Sequence, residues 1–371
     1  MTIVRPLLLC MLLLLPGCAS VGKLFSRSSH DKAEASAEKL VQQASAEMAA
    51  GQTDAALTHL GDARELDPLP SDMKDRIEHL LERCAETRIV ELSAPGGDPD
   101  DMEDLFDLRL PRQLAITAGV HAARLQLERG EEIKAFAMIQ KVDTRYPPTG
   151  THHERVMAGD ILFEAGMKLS QSSFSILGLF SDADDAKGIL EYLVQNYPRE
   201  RRCDQAYNRL AQLYEDDRIW ATAIERYQDL VTYHLDSPLA VESEWRIPHL
   251  RLVALRRPEY DRRELLRTLS ELEAWLEAHA AHELESKVVV DRRDCLSRLA
   301  LSDLGVVKFY KQVHKWEGAR LHAERALDFA KLGGDPRLIA QATRAIAGLP
   351  PAEAHTPTVP AVRDATAPTS P

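Results

Sequence analysis

A cysteine near the start of the chain lies in the setting that covalent lipid attachment requires. Arg5 supplies a positive charge, a nine-residue apolar run extends from Leu7 to Leu15, and Pro16 and Gly17 lead to Cys18. A run this short cannot span a bilayer, which needs about 20 residues, so the pattern predicts a cleaved export signal over residues 1–17. The Cys18 thiol is then the group to which acyl chains would be attached.

The end of this signal resembles the bacterial lipobox, in which the cysteine is diacylated and becomes the new N-terminus. The alternative is an ordinary signal peptide followed by a chance cysteine. Each buried CH₂ of an acyl chain contributes about 0.8 kcal/mol, so two or three chains on Cys18 would anchor the protein firmly. Ala19 and Ser20 follow, whereas many lipoproteins retained in the inner membrane carry Asp there. The resemblance therefore implies a lipid anchor on the periplasmic face of an outer membrane.

The other residues whose side chains could act in catalysis do not form a recognisable active site. The zinc-protease, nucleophile-elbow, phosphate-loop, dinucleotide and paired-cysteine motifs are all absent from the sequence. Two groups of side chains could be considered as metal ligands. They are His152, His153 and Glu154, and His279, His282 and Glu283. Each group lies at the end of an expected helix without a clear third ligand, which favours surface histidines over a metal site. We therefore expect no enzymatic activity, no small-molecule substrate, and no cofactor or metal other than the acyl chains.

Charge further limits the partners. The formal net charge is -12, which argues against a nucleic-acid surface because phosphate binding needs clustered positive residues. Between Asp98 and Asp107 six of ten residues are acidic, but they lack the alternation, glycine and distal glutamate of a calcium-binding loop. The sequence predicts a solvated acidic linker there. Cys84, Cys203 and Cys295 each lie in a separate helical pattern, which predicts buried free thiols.

A pattern of small residues recurs along the chain and predicts that its backbone folds into helical hairpins. In the stretch 116–147, Gly119 and its small neighbours precede a break at Gly130, Ala135 begins a second apolar face, and Pro147 closes the unit. Gly51, Ala56 and Pro68 repeat the last three spacings, five residues and then twelve. This order is typical of the tetratricopeptide repeat, a helix-turn-helix of 34 residues. It predicts an all-α solenoid, a right-handed superhelix of stacked hairpins.

Later segments extend the pattern with interruptions. Residues 204–238 and 300–331 fit it well, whereas Pro248 and Pro258 interrupt the copy between them. The apolar stretch 170–182 is an insertion that should fold back on the repeats or meet a partner. The predicted divisions are a signal peptide (1–17), a flexible tether (18–33), a first repeat with an extra helix that Ser71 would cap (34–90), the acidic linker (91–113), the main solenoid (114–349) and a disordered proline-rich tail (350–371).

Two stretches carry a sharper resemblance. Residues 299–327 contain a Leu-Ala pair, a V-x-F-Y block at Val307–Tyr310, Trp316 and the small pair Gly318-Ala319, and they resemble the final repeat of the BamD-type outer-membrane lipoproteins. Residues 186–238 resemble the middle of that family. The family's usual glycine at the last turn is replaced here by His314, and the first repeat and acidic linker lie outside the resemblance.

The resemblance implies a function without catalysis. Proteins of this kind are accessory scaffolds in the assembly of β-barrel outer-membrane proteins, so the expected partners are the central barrel assembly subunit and nascent barrel proteins. The alternative is a general adaptor of the cell envelope that coordinates peptidoglycan synthesis or a secretion complex.

In stacked hairpins of this kind the first helix of each pair lines a concave groove. The side chains at its groove-facing positions are candidates for contact with a bound peptide, and they include Arg124, Leu127, Asn208, Gln212, Lys308 and Lys311. A mixture of amides, charges and aliphatic groups suits an extended chain or a partner helix. The alternative for each residue is a solvated helix face.

Overall fold

The structure is a computed structural model that describes residues 18–94, 96–148, 153–171, 175–176, 180–255 and 262–351. The chain divides into two compact units, Met1–Ala206 and Tyr207–Pro371, and the division falls within a helix. The division therefore falls about 90 residues after the start that we predicted for the main solenoid. The predicted signal peptide and most of the predicted tail, residues 352–371, lie outside the described residues.

Unit 1 consists of helices with one pair of two-residue strands. Its elements are α1 (Cys18–Ala49), α2 (Thr53–Glu65), α3 (Ser71–Leu92), α4 (Pro99–Asp107), α5 (Arg112–Glu128), α6 (Glu132–Arg145), α7 (His153–Gln171), β1 (Ser175–Ile176), β2 (Phe180–Ser181) and α8 (Asp182–Asn196). Each helix packs mainly on its neighbours along the chain, and α5 also packs on α7.

Unit 2 has helices alone among its described residues. They are α9 (Cys203–Asp216), which begins just before the division, then α10 (Trp220–Tyr233), α11 (Ala240–Ala254), α12 (Arg262–Ala278), α13 (Glu285–Gln312), α14 (Trp316–Gly333) and α15 (Pro336–Ala347). Successive helices again pack on one another, and α13 also packs on α15. This succession of hairpins confirms an all-α, tetratricopeptide-like fold.

One turn geometry ends five helices. Gly51, Gly130, Arg218, His314 and Gly334 all have φ between 56° and 78°, in the left-handed region. In each turn the next residue donates a backbone hydrogen bond five residues back, which completes a Schellman motif. These bonds join Gln52 to Glu47 (2.8 Å), Glu131 to Gln126 (2.9 Å), Ile219 to Tyr214 (2.8 Å), Lys315 to Tyr310 (2.9 Å) and Asp335 to Ala330 (3.2 Å). The sequence predicted the two glycine turns at Gly51 and Gly130, and Arg218 and His314 adopt the same geometry at the strain cost of a side chain.

Small residues allow the close helix contacts that the repeat pattern predicted. A Cβ atom added at Gly119 would lie 2.4 Å from Val142 Cγ2 and 2.9 Å from Phe106 Cδ2, so α5 touches its neighbours at that point. Ala56 and Ala135, which follow the two glycine turns at the same spacing, are fully buried. Close packing at these positions joins the two helices of each hairpin.

The predicted acidic linker is wrong at its centre, where α4 forms. Met102, Leu105 and Phe106 are buried, and their spacing of three and four residues places them on one helical face. The Asp98 carboxylate caps the helix by accepting from the Asp100 backbone amide at 3.0 Å. The acidic residues occupy the outer face, and their number concealed the apolar stripe beneath.

Three other segments also differ from the expectation. The predicted tether, residues 18–33, is the first half of α1, and a helix already started by buried residues such as Val41 extends at little cost through a stretch without proline. Pro248 lies within α11 and does not interrupt it. Pro70, not Ser71, occupies the cap position of α3.

In the insertion, β1 pairs with β2 in antiparallel register, with Ser175 opposite Ser181 and Ile176 opposite Phe180. The other apolar residues of this insertion lie outside the described residues, as does Pro258. No helix in the described ranges combines the length and the apolar composition that a membrane crossing requires.

Candidate partner-binding cleft

The structure separates the six predicted groove residues into different environments. Leu127 is only 7% exposed and packs inside unit 1, so its prediction as a contact residue is wrong. The reason is that α5 is covered by α4, α6 and α7, which leaves little of its circumference open. Arg124 is partly exposed, but its guanidinium pairs with Glu128 at 3.1 Å and with Glu164 at 2.9 Å. This part of the predicted groove is therefore a structural contact between helices.

The middle pair of predicted residues lies on α9. Both Asn208 and Gln212 are half-buried, and the Gln212 side-chain oxygen accepts a hydrogen bond from Arg209 at 3.3 Å. Neither residue lines either of the two cavities described below.

The last pair, Lys308 and Lys311, lies on an open surface at the end of α13. Both lysines are exposed, and the side chains between and after them include Phe309, 58% exposed, and Val313, 45% exposed. A single exposed apolar side chain is common on a helix surface, whereas several close together are typical of a binding surface. This surface continues into a cleft at the turn between α13 and α14.

The α13–α14 cleft has a volume of about 730 Å³. Among the residues that line it are Tyr310, His314, Trp316, Arg320, Leu321 and Pro350. Trp316 is 37% exposed, and its ring meets the His314 ring edge to face with centroids 5.5 Å apart. The left-handed turn at His314 presents these two rings together, because it reverses the chain within three residues.

A buried carboxylate holds the wall of the cleft. Asp303 is completely buried, His322 Nδ1 lies 2.7 Å from its Oδ1 atom, and Arg262 Nη1 lies 2.8 Å from Oδ2. The Tyr310 ring stacks on His322 with centroids 5.6 Å apart and an interplanar angle of 22°. Tyr310 also lies so close to Gly318, one turn before His322 on α14, that an added Cβ would be 2.9 Å from the ring. Asp303 thus positions Tyr310 through His322.

The rim of the cleft carries charges of both signs, with Lys315 and Arg320 beside Glu317 and Glu324. The exposed Lys308 and Lys311 lie outside the cleft, on the adjoining end of α13, and add positive charge there. The two lysines on α13 contrast with the net charge of -12 of the whole chain. An aromatic centre with lysines beside it suits a protein partner that has apolar side chains and acidic flanks.

Unit 1 contains a groove of opposite character between α2, α3 and α4, with a volume of about 1170 Å³. We call it the acidic groove. Its charged lining consists of Asp54, Asp62, Glu65, Asp101, Asp104 and Asp107 with Arg64, Arg88 and Arg109. Arg88 crosses it and pairs with Asp54 at 2.7 Å and with Asp101 at 3.1 Å.

The end of the acidic groove is joined to α6 by ion pairs. Lys141 Nζ lies 2.8 Å from an oxygen of Asp107 and Arg145 Nη2 lies 3.0 Å from the other. Burial raises the pKa of Asp107, but the hydrogen bonds and charges of Lys141 and Arg145 outweigh it and hold the pKa below its ordinary value. Asp107 therefore remains charged and contributes to the packing of α4 on α6.

The other polar clusters serve the packing of helices. In unit 1 the Tyr197 hydroxyl donates to the buried carboxylate of Asp143 at 2.7 Å, Tyr192 does so at 2.8 Å, and Arg155 pairs with the same group. Burial and then the Asp143 charge raise the pKa of Tyr197 well above its usual range. With both carboxylate oxygens occupied, this cluster joins α6, α7 and the end of α8.

The three predicted free thiols are confirmed. Cys84, Cys203 and Cys295 are buried and unpaired with one another, and burial raises their pKa to about 11, 12 and 12 respectively. Such thiols are poor nucleophiles at neutral pH. His279 does not join a ligand set but pairs with Glu244 at 2.8 Å and packs on Trp275. Across the described residues, no three histidine, cysteine or acidic side chains are grouped to hold a metal ion.

None of the six residues predicted from the sequence lines this cleft. Lys308 and Lys311, which were selected by their helix positions, lie beside it, and Trp316 was noted only as part of a repeat motif. Arg320, Leu321 and Pro350 were not recognised, because they meet the turn only after α14 and α15 have folded back. A usable signal was the apolar series Phe309, Val313 and Trp316, which a buried repeat face does not need.

Comparison with known proteins adds little beyond the fold. No protein-family model matches the chain, and no curated protein matches it. Among solved structures, it is similar to the TPR2AB-domain:pHSP90 complex of yeast Sti1, with 14% identity over 70% of this chain and 98% of that chain, at a TM-score of 0.27.

Two other solved structures show weak similarity of the same kind. A tetratricopeptide repeat protein from Parabacteroides merdae ATCC 43184 is 13% identical over 84% of this chain and 99% of that one, at a TM-score of 0.22. The apo form of RapI is 12% identical over 84% and 86%, at a TM-score of 0.29. The fold assignment rests on the hairpins and turns described above.

Proposed function

We propose that this chain is a lipid-anchored, non-enzymatic scaffold on the periplasmic face of the outer membrane, and that it binds a partner in β-barrel assembly through the α13–α14 cleft. The observation that supports this most is the position of the cleft. It lies at the turn within residues 299–327, the stretch that resembles the final repeat of the BamD-type lipoproteins. The proposed partners are the central barrel assembly subunit and nascent barrel proteins.

The cleft has the composition of a binding centre. Tryptophan, tyrosine and arginine dominate the residues whose removal weakens protein complexes most, and Trp316, Tyr310 and Arg320 all line this site. The exposed lysines around it would attract an acidic surface and speed its encounter, an effect that salt weakens. We therefore expect an apolar partner segment with acidic flanks.

The anchor proposal places the acyl chains on the first residue of a helix. The helix α1 begins at Cys18 and has 32 residues, which corresponds to about 48 Å at a rise of about 1.5 Å per residue. A rigid helix after the lipid would hold the repeats near the membrane at a more defined distance than a flexible tether would.

Affinity purification from detergent-solubilised envelopes tests the partner proposal. We expect the unchanged protein to recover a large barrel protein with periplasmic repeat domains, and Trp316→Ala and Lys311→Glu to recover much less of it. Leu332→Ala and Lys331→Glu are the matched controls, because both residues are exposed on α14 and neither lines the cleft. Absence of the barrel protein under mild conditions would reject the assignment to barrel assembly.

Replacement of the predicted lipid site tests the anchor. Cys18→Ser should release the protein into the soluble periplasmic fraction, because no acyl chain can then be attached. A high-salt wash distinguishes residual charge-mediated association from anchoring. Protein that stays in the membrane fraction after that wash would show that the lipid is not the sole anchor.

A general envelope adaptor is the second candidate, and the acidic groove supports it. This groove belongs to α2–α4, outside the region of resemblance, and it suits a basic segment of a different partner. In that case Asp62→Asn with Asp104→Asn should reduce recovery of the partner while Trp316→Ala has no effect. The reverse result favours the α13–α14 cleft.

A further inference from the structure

The chain leaves its last helix at the α13–α14 cleft. Leu349 is buried beside Val307, Ala319 and Ala323, which fixes the end of α15 against the hairpin. Pro350 and Pro351 then line the cleft itself. The residues that follow must therefore start from the rim of this cleft.

A direct contact already holds the start of the tail there. Arg320 donates a hydrogen bond from Nη2 to the backbone carbonyl of Pro350. Aromatic-lined grooves bind polyproline segments, whose carbonyl groups have no internal hydrogen bonds and can accept from a donor such as this arginine. In this chain Trp316 and Tyr310 supply the aromatic side chains.

The sequence after Pro351 has the spacing that such a surface recognises. Pro357 and Pro360 are three residues apart, and Arg363 follows after three more. A polyproline helix has three residues per turn, so these three side chains would share one edge. At about 3.1 Å per residue, Pro357 can lie up to about 19 Å from Pro351, which is within reach of the cleft.

We propose that the segment 357–363 of the tail binds in the α13–α14 cleft of its own chain. The two prolines pack on Trp316 and Tyr310, and the Arg363 guanidinium faces the acidic rim residues Glu317 and Glu324. Intramolecular binding is favoured because the short connection keeps the segment at a high effective concentration. This proposal deepens the proposed function, and rests on it, because the segment would compete with a partner for the same cleft.

Fluorescence quenching by Trp316 tests the contact in the full-length chain. The background carries Cys10→Ser and Cys18→Ser, and the three remaining cysteines are buried with raised pKa values, so one introduced thiol reacts selectively. A bimane label at Thr358→Cys should be quenched by contact with the indole. A label at Ser370→Cys, beyond the proposed segment, should be quenched less.

Three further variants identify the source of the signal. Trp316→Phe should restore the fluorescence of the label at position 358, and so should Pro357→Ala combined with Pro360→Ala, whereas Pro368→Ala should leave it quenched. Unchanged helical circular dichroism would show that each variant is folded. Equal fluorescence in all variants would overturn the proposal, and quenching that disappears on dilution would overturn it in favour of a second copy's tail.

The fluorescence measurement can be interpreted without knowing whether the barrel-assembly proposal is correct. The label reports the tail contact without any partner, and the purification reports the partner without any label. If the label at position 358 is not quenched while Trp316 and the prolines are intact, the tail contact is refuted. If the unchanged protein does not recover the barrel protein, the proposed partner is refuted.

Discussion

The hairpins α5–α6 and α13–α14 share a turn but differ in what surrounds them. Gly130 and His314 occupy the same left-handed position, with the same hydrogen bond spanning five residues. In unit 1, α5 is enclosed by its neighbours and Leu127 is buried, whereas in unit 2 the end of α13 leaves Phe309 and Val313 exposed. The same local motif thus lies in a core in one unit and leaves apolar side chains exposed in the other, on the surface that we propose for binding. Repeat spacing determines the hairpin, and the neighbouring helices determine which faces remain open.

The largest expected difference between these hairpins is in the loss of stability when a leucine is replaced by alanine. Leu127→Ala removes a buried side chain from α5 and should lower the free energy of unfolding by about 2–5 kcal/mol. Leu301→Ala on α13 is the matched control, because Leu301 is 42% exposed and should change stability by less than about 0.5 kcal/mol. Urea unfolding followed by circular dichroism measures both. Similar losses for the two variants would mean that α5 is not enclosed as described.

A smaller change in stability should distinguish a glycine in close contact with a neighbouring helix from one with free space around it, both in unit 1. Gly119→Ala forces a Cβ against Val142 and Phe106 and should cost about 1–3 kcal/mol. Gly188→Ala on α8 is the control, since nothing lies within 4 Å of the added Cβ, and it should stabilise the helix by about 0.5–1 kcal/mol. Chemical unfolding would show opposite shifts of midpoint, and shifts of the same sign would contradict the close α5 contact.

The turns themselves should give the smallest changes in stability, of at most about 1–2 kcal/mol and in opposite directions for the two variants. Gly130→Ala places a side chain at φ 78° and should destabilise its hairpin, since a left-handed residue with a Cβ costs about 1–2 kcal/mol. Arg218→Gly relieves that strain at φ 61°, partly offset by the greater freedom of glycine in the unfolded chain, and should raise the melting temperature. A lower melting temperature for Arg218→Gly would contradict the assignment of strain to that turn.

The fold could be predicted because its signals are local. Gly51 and Gly130 mark turns that need left-handed backbone, and the alanines that follow them mark close helix contacts. Arg218 hides an equivalent turn behind an ordinary side chain, and only the backbone reveals it. The turn at His314 was expected only from the family resemblance, because the residue itself gives no such signal. In α4 the spacing of Met102, Leu105 and Phe106 was present in the sequence, but the surrounding acids dominated the composition.

The site was harder to predict because it depends on which faces the folded neighbours cover. Leu127 and Lys311 occupy the same position, three residues before the left-handed turns at Gly130 and His314, yet Leu127 is buried and Lys311 is exposed. Spacing along a single helix cannot distinguish these outcomes. The cleft also joins residues from the end of α13, the start of α14 and the chain after α15, which a reading of one repeat at a time does not bring together.

Site-specific photo-crosslinking in intact envelopes tests the central claim most directly. A photoreactive side chain at Phe309 probes the α13–α14 surface, and one at Ile133, 53% exposed at the start of α6, probes the corresponding hairpin of unit 1. The account predicts a crosslink from position 309 to a large outer-membrane barrel protein, reduced by Trp316→Ala, and little or none from position 133. A crosslink from position 133 with none from position 309 would contradict it.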